Sequence, residues 1–306
     1  MVANITKVID LVPGDEQPMT SVHASEMTEE RFWGEFVRKH QPVVIREAAQ
    51  HWPALQRWHQ PDYFERFCGE EEVEMWTTFN PWPLPFNAAI KSDKLDRFVR
   101  EMKAAPDNET YAIPAVGITP RLREDLGNYP FLGPKYERRA LEFPDKRLFI
   151  YKNASTEWHY HLLDESLTAQ LVGSKRFSMF RLTPDNWRDI APIVEANFHH
   201  MNCGRRFFPQ TPVMTKFDAV VNQGDAIYIP PFWWHGIDTV DANFGITMAQ
   251  CFRSPIRRFG DFSDPVTKAM ITRVAEVRKK QLLPLYALLS VSSLSRRIGN
   301  EKWWPM

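Results

Sequence analysis

Cysteine is scarce: the 306-residue sequence holds three, Cys68, Cys203 and Cys251. Their wide, unpatterned spacing argues against a disulfide framework and suits a reducing compartment. A surplus of either charge is missing as well, with 38 Lys+Arg against 38 Asp+Glu. A balanced chain gives no general electrostatic reason to seek nucleic acid or an anionic membrane as partner. The first residues, MVANITKVIDLVPGDEQPMT, lack a basic segment followed by an apolar run, so no signal peptide is read. The longest apolar stretch, Leu282–Val291, is too short to span a bilayer and is interrupted by Pro284. These absences lead to the expectation of a soluble, cytoplasmic protein without membrane contact. No internal repeat or low-complexity tract is present, and the regular spacing of a doubly wound fold is missing.

What is present falls into three textures. The first part mixes short helices and strands. Thr28 can cap a helix with Phe32, Phe36 and Val37 on one face, Val43–Ile45 reads as a buried strand, and Ser92–Met102 reads as an amphipathic helix. Between them Asn80–Phe86, NPWPLPF, is too proline-rich for regular structure. From about residue 147 short strands and turns take over: Leu148–Lys152, Glu157–His161, Leu167–Val172, Arg176–Arg181, Ala219–Asn222, Ala226–Ile229 and Phe244–Arg253. Gly173-Ser174 reads as a two-residue hairpin between two of them. Many short antiparallel strands predict a closed or sandwich-like β-architecture. Pro265–Lys280 and Leu285–Arg297 then read as two helices bent at Pro284.

The chemistry concentrates in Asn153–Phe180. Side chains alternate across a strand, so His159 and His161 share a face and can both reach one metal ion. An HxH pair taken alone is about as often a pair of ordinary core or surface histidines. Here Glu165 follows at a spacing typical of a further ligand, and the remote segment GDAIYIPPFWWHG carries His235. Neutral imidazole suits iron, copper, zinc or nickel, so ligand type alone does not choose the metal. A second cluster, His199-His200 with Cys203, Arg205 and Arg206, is a weaker candidate for a metal or anion site. Trp76, Trp82, Trp233 and Trp234 are candidates for a cavity mouth, with core packing as the default.

The HxH-xxx-E run followed by the GDxxxxPxxxxH run resembles the two motifs of the cupin superfamily, whose fold is a double-stranded β-helix. A closer resemblance is to the JmjC-type (cupin-8) hydroxylases, the asparaginyl-hydroxylase-like group included. It rests on GDAIYIPPFWWHGI (Gly224–Ile237), QLVGSKRFSMFRLTP (Gln170–Pro184) and QPVVIREAAQHWPALQRW (Gln41–Trp58), in order and across most of the chain. The resemblance implies a mainly β fold with α additions: a jelly-roll core at about residues 141–255, an N-terminal α/β flank and a C-terminal helical hairpin. It divides the chain into a catalytic domain, residues 1–255, and a helical segment, residues 256–306, that resembles the dimerisation element of some relatives.

That family uses Fe(II) and 2-oxoglutarate. By position, His159 and His235 take two metal-ligand places, while Lys175 and Thr156 take the places that grip the far carboxylate of 2-oxoglutarate. The sequence departs from the pattern where the family has a carboxylate, because His161 stands there, and the run to Gly173 is one residue longer. Three arrangements remain open: a three-histidine site with Glu165 as a further ligand, a bulge that brings in Asp164 or Glu165, or a degenerate site. A neutral imidazole in place of a carboxylate leaves the metal one unit more positive. The implied reaction is oxidation of a C–H bond in a small molecule or a peptide-borne residue, with dioxygen consumed. The alternatives are a three-histidine cupin oxygenase or isomerase that needs no 2-oxoglutarate, and a catalytically silent binding scaffold.

Overall fold

Two sheets face each other, and the core strands alternate between them along the chain except at Lys175–Arg181 and Met214–Val221, which are neighbours in one sheet. The computed structural model describes residues 7–77, 89–133, 140, 143–196, 200–202, 214–253, 260, 262–263 and 265–298. Eight strands form the core: β1 Lys146–Lys152, β2 Thr156–His161, β3 Asp164–Val172, β4 Lys175–Arg181, β5 Met214–Val221, β6 Ala226–Ile229, β7 Trp233–Thr239 and β8 Phe244–Arg253. One sheet runs β5-β4-β7-β2, the other β6-β3-β8-β1. This is the jelly-roll expected of the sequence. Gly14–Pro18 and His200–Asn202 extend the first sheet, while Val43–Arg46 and Tyr111–Val116 extend the second.

The alternation of each core strand sorts its side chains. Phe177, Met179, Val221, Ile227, Ile229 and Trp233 meet between the sheets. Leu167, Ala169, Leu171, Ile246 and Met248 turn outward, against a flank that includes Leu95, Phe98, Val99 and Met102 of the helix Leu95–Ala104. On the far side, Trp158, Tyr160, Phe180 and Trp234 pack against Met270, Val274, Leu285 and Leu289 of the C-terminal helices. Each such side chain taken out of water stabilises the fold by roughly 1.5–3 kcal/mol, so both outer layers are bound to the barrel by burial. Among the described residues no helix is long and apolar enough to cross a membrane.

Several sequence expectations change in detail. Gly173-Ser174 is no hairpin, because β3 pairs with β6 and β8 while β4 pairs with β5 and β7. It is a corner between opposite sheets, turned by Gly173 at φ +79°. The helix expected at Ser92–Met102 begins at Leu95, since Ala89–Lys94 is drawn into a ladder with Glu72–Thr77. The C-terminal helices, Pro265–Val277 and Leu282–Ile298, part at Arg278–Gln281 and not at Pro284. Pro284 sits in the first turn of the second helix, where its missing N–H costs nothing. The segment GDAIYIPPFWWHG, expected to be one strand that runs into Pro230-Pro231 and ends at His235, is two: β6 stops at Ile229, and His235 lies within β7. The Asn80–Phe86 loop lies outside the described residues.

Gly236 shows how closely the outer layer is fitted. A Cβ there meets the Trp158 ring at 2.7 Å, and Trp158 is fully buried with its indole N–H donated to the Val8 carbonyl at 2.8 Å. Gly236→Ala is expected to lower stability by about 1–3 kcal/mol through overpacking. Denaturant unfolding checks it, and an unchanged midpoint contradicts the fit described.

Candidate metal and anion site

Ladder register builds the centre of the site. His235 on β7 stands opposite Met179 of β4 on one side and opposite His159 of β2 on the other. His161, two residues beyond His159, falls on the same inner face, while the intervening Tyr160 is buried in the outer layer. The three rings converge: centroids lie 4.1 Å apart for His159–His235, 5.0 Å for His159–His161 and 5.4 Å for His161–His235. One ligand atom from each comes within 4.8 Å of the others, the separation a single ion can bridge.

Two of the rings are oriented by their own strands. His159 Nδ1 lies 2.7 Å from the Glu157 carbonyl, and His235 Nδ1 lies 2.9 Å from the Trp233 carbonyl. A carbonyl only accepts, so each Nδ1 carries the proton and each Nε2 keeps its lone pair for a metal. Burial, helped by the charge of Arg147, holds the His159 pKa down to about 4 against the opposing pull of the Glu157 carbonyl. The ring is therefore neutral at pH 7, the form a metal requires. Phe143 braces His161 edge-on, with centroids 5.3 Å apart. A convergent set of three imidazoles fits iron in chemistry and number, and it fits zinc or copper equally.

Glu165, expected as a further ligand, lies outside this group. It is in the opposite sheet on the outward-facing phase of β3, fully buried, and accepts the Tyr228 hydroxyl at 2.6 Å. Asp164 is buried at the start of the same strand and also stays outside the group. A regular HxH alternation, with no bulge between the two histidines, accounts for this. The strand does bulge, but one step earlier. Ile237 pairs with Thr156 while His235 pairs with His159, so three residues of β2 span two of β7. Thr156 consequently joins His159 on the inner face, although simple alternation would separate them.

Lys175 opens β4 and points into the closed end of the barrel. Only 5 % exposed, it sets its ammonium 3.8 Å from the centroid of the Tyr151 ring. No carboxylate pairs with it among the described residues, and burial alone drives its pKa down to about 7. Tyr151 in turn is tied to Gln170 Nε2 at 2.6 Å, and Gln170 Oε1 accepts Thr247 at 2.9 Å. Tyr151 and Thr247 were not singled out from the sequence, because both sit in strands with no motif around them, and Gln170 entered only as the first residue of QLVGSKRFSMFRLTP. Nearby, the Asp238 carboxylate accepts the backbone N–H groups of Val8 and Ile9, both at 3.0 Å, and so ties the N-terminal segment to β7. Four strand steps, about 13 Å of backbone rise, lead from Lys175 to Met179, the register partner of His235.

Of the other candidates, Trp234 is buried in the outer layer, and Trp233 lies in the inter-sheet core with its indole N–H donated to the His40 carbonyl at 2.8 Å. Trp76 stays partly exposed in the peripheral ladder. Trp82, His199, Cys203, Arg205 and Arg206 lie outside the described residues, and of His200 only the backbone is described.

A model of the cupin-like domain matches residues 29–257, most of the chain and all of the site. The chain belongs to the cupin-like family. Among curated proteins this cupin-like chain is 24% identical over 221 residues to the lysine-specific demethylase JMJ30 of Arabidopsis thaliana, covering 67% of the chain and 49% of that protein. It is 23% identical over 220 residues to the Jumonji C domain-containing protein 5 of Drosophila melanogaster, covering 68% and 54%. Over 83 residues it is 35% identical to the human bifunctional peptidase and (3S)-lysyl hydroxylase JMJD7, covering 27% and 22%. The cupin-like chain thus spans about half the length, or less, of these relatives.

The unpaired ammonium of Lys175 has a measurable cost. Its folded pKa of about 7 lies below its ordinary 10.5, so between those values the unfolded chain holds a proton that the folded chain does not. The penalty is full below pH 7, shrinks as pH rises, and is gone above the ordinary lysine value. Lys175→Met is expected to stabilise the ligand-free protein by on the order of a few kcal/mol at pH 6 and by little at high pH. Thermal melts of the two proteins across that range check it. A destabilised variant at pH 6 contradicts it.

Proposed function

We propose that the protein is a non-haem iron, 2-oxoglutarate-dependent oxygenase of unusual ligand set. His159, His161 and His235 hold Fe(II) through their Nε2 atoms, and Lys175 with Thr156 holds the far carboxylate of 2-oxoglutarate. The observation that carries this reading is the pairing of two features within one barrel: three convergent imidazoles and, further in, a buried ammonium without a carboxylate partner. The activities in the relatives' names, demethylase and hydroxylase, point the same way. When bound, the iron and 2-oxoglutarate supply the oxidising power: dioxygen is consumed, the co-substrate leaves as succinate and carbon dioxide, and one oxygen atom enters a substrate C–H bond.

The chain's own contribution is placement. The Glu157 and Trp233 carbonyls keep the two imidazoles in one tautomer. Tyr151 and the Gln170–Thr247 pair hold Lys175 in position and line the closed end. The inter-sheet core of Phe177, Met179, Ile227 and Trp233 excludes water beside the centre. The substrate class proposed is a small molecule or a peptide-borne residue, in a chain whose balanced charge favours no nucleic acid.

One observation favours a second reading. With His161 where the family has a carboxylate, the centre is a three-histidine set of the kind that can bind substrate directly without 2-oxoglutarate. Anaerobic addition of 2-oxoglutarate to the iron-loaded protein distinguishes the two, since chelation of the co-substrate produces a visible charge-transfer band.

The C-terminal helix Leu282–Ile298 also carries an apolar stripe on the face turned from the barrel. Leu283 is 80% exposed, Val291 49%, Leu294 59% and Ile298 78%. A second copy covering that stripe gives a homodimer, the arrangement that the resemblance implies.

Iron-loaded protein is expected to bind one equivalent of metal and to convert 2-oxoglutarate to succinate. His161→Ala should cut metal stoichiometry at least about tenfold at limiting iron, while His161→Asp should retain it. Metal analysis and succinate quantification check both; a wild-type protein that takes up no metal ends the proposal. Sedimentation should show a dimer that Leu294→Glu converts to monomer, and a wild-type monomer refutes the stripe's assigned role.

A further inference from the structure

A buried carboxylate on the outer face of the barrel grips the start of the strand that carries two of the histidines. Asp238 of β7 is 2% exposed and lies one residue past Ile237, the partner of Thr156 across the β2–β7 ladder. Its Oδ1 accepts the Ser155 hydroxyl and the Val8 N–H, the latter at 3.0 Å, and its Oδ2 accepts the Ile9 N–H at 3.0 Å. The two N–H groups stand at the start of the 3-10 turn Ile9–Leu11, so consecutive backbone donors fix the carboxylate in place. That turn is anchored in its own right. The Val8 carbonyl accepts the Trp158 indole N–H at 2.8 Å, the Ile9 carbonyl accepts Lys216 Nζ at 3.4 Å, and Ile9 is fully buried. Val8 and Ile9 precede residues 29–257, the part matched by the cupin-like domain, so half of this clamp comes from outside it.

The clamp sits directly beside the bulge in β2. His159 faces inward, and uninterrupted alternation back along the strand would turn Ser155 inward and Thr156 outward. The bulge between Thr156 and His159 reverses that order. Ser155 points to the outer face, where it meets Asp238, and Thr156, opposite Ile237, points inward. Two neighbouring hydroxyls therefore compete for one inward place. A bulge moved past Ser155 toward the start of the strand would exchange them.

The backbone alone specifies the place of a bulge weakly, since one residue stays unpaired wherever the bulge falls. A side-chain bond to a buried, charged acceptor supplies the missing preference. We propose that Ser155 and Asp238 are positioning residues for the anion end of the site: their bond locks the bulge and turns the Thr156 hydroxyl, not that of Ser155, into the barrel. The proposal rests on the reading of Thr156 as a partner of the far carboxylate of 2-oxoglutarate. Both residues act through Thr156, from the outer face. The pairing of His159 with His235 lies on the other side of the bulge, so the clamp sets anion binding and leaves metal binding alone.

Isothermal titration of 2-oxoglutarate into the full-length protein loaded with Mn(II) tests the assignment through a double-mutant cycle. Ser155→Ala is expected to weaken binding roughly fivefold, and Asp238→Ala at least as much. Thr156→Ala should weaken binding too. Adding Ser155→Ala to Thr156→Ala should then cost nothing further, because the hydroxyl being positioned is gone. Ser155→Thr, which keeps the hydroxyl, should bind as the wild type does. Manganese stoichiometry should stay the same in every variant, and thermal melts confirm folding; Asp238→Ala supplies the same cycle if Ser155→Ala does not fold. Unchanged affinity in Ser155→Ala, losses that multiply in the double variant, or loss of manganese from Ser155→Ala overturns the positioning role and spares the oxygenase reading. Wild-type protein that takes up manganese but not 2-oxoglutarate sinks both.

Discussion

The ladder between β2 and β7 is the constraint on which the centre depends. Its hydrogen bonds set His235 directly across from His159, and the pleat then delivers His161 to the same face. A slip of one residue would turn His235 outward into the layer of Trp158 and Trp234. The outer layer opposes such a slip, because the indole of Trp158 occupies the space that Gly236 leaves open. Packing outside the barrel therefore protects geometry inside it.

The same ladder contains its own irregularity, and that irregularity is useful. Between Thr156 and His159 one extra residue is absorbed, so two positions of opposite phase come to share the inner face. Along the inner surface Lys175 and Tyr151 lie on one side of the histidines, and Arg147 and Arg181 lie on the other. Each of these cations is buried or half-buried, and each is placed by a strand and not by a loop. Shielding a cation from water costs desolvation energy. The Lys175 ammonium over an aromatic ring shows how the cost is softened in the absence of a counter-ion.

Much of this was legible in order along the chain. Alternation of apolar residues gave the strands Ala226–Ile229 and Phe244–Arg253 with their bounds, and HxH placed His159 and His161 on one face. The resemblance in GDAIYIPPFWWHGI supplied the remote histidine, which no local periodicity joins to the other two. What misled was locality. Gly173-Ser174 has the composition of a hairpin, yet its flanking strands join different sheets, since each finds a better-matched partner far along the chain. Glu165 has ligand spacing in the sequence, but its phase on β3 turns it toward Tyr228.

By itself the sequence determined which residues alternate, where turns are possible, and that three imidazoles and a lysine were available to a metal and an anion. Only the tertiary structure decided which of them meet. Register between strands distant in sequence is set by the summed burial of two outer layers and one core, and no short stretch contains that information. Arg147, Tyr151 and Arg181 read as ordinary strand residues until the sheets close and put them along the same inner surface.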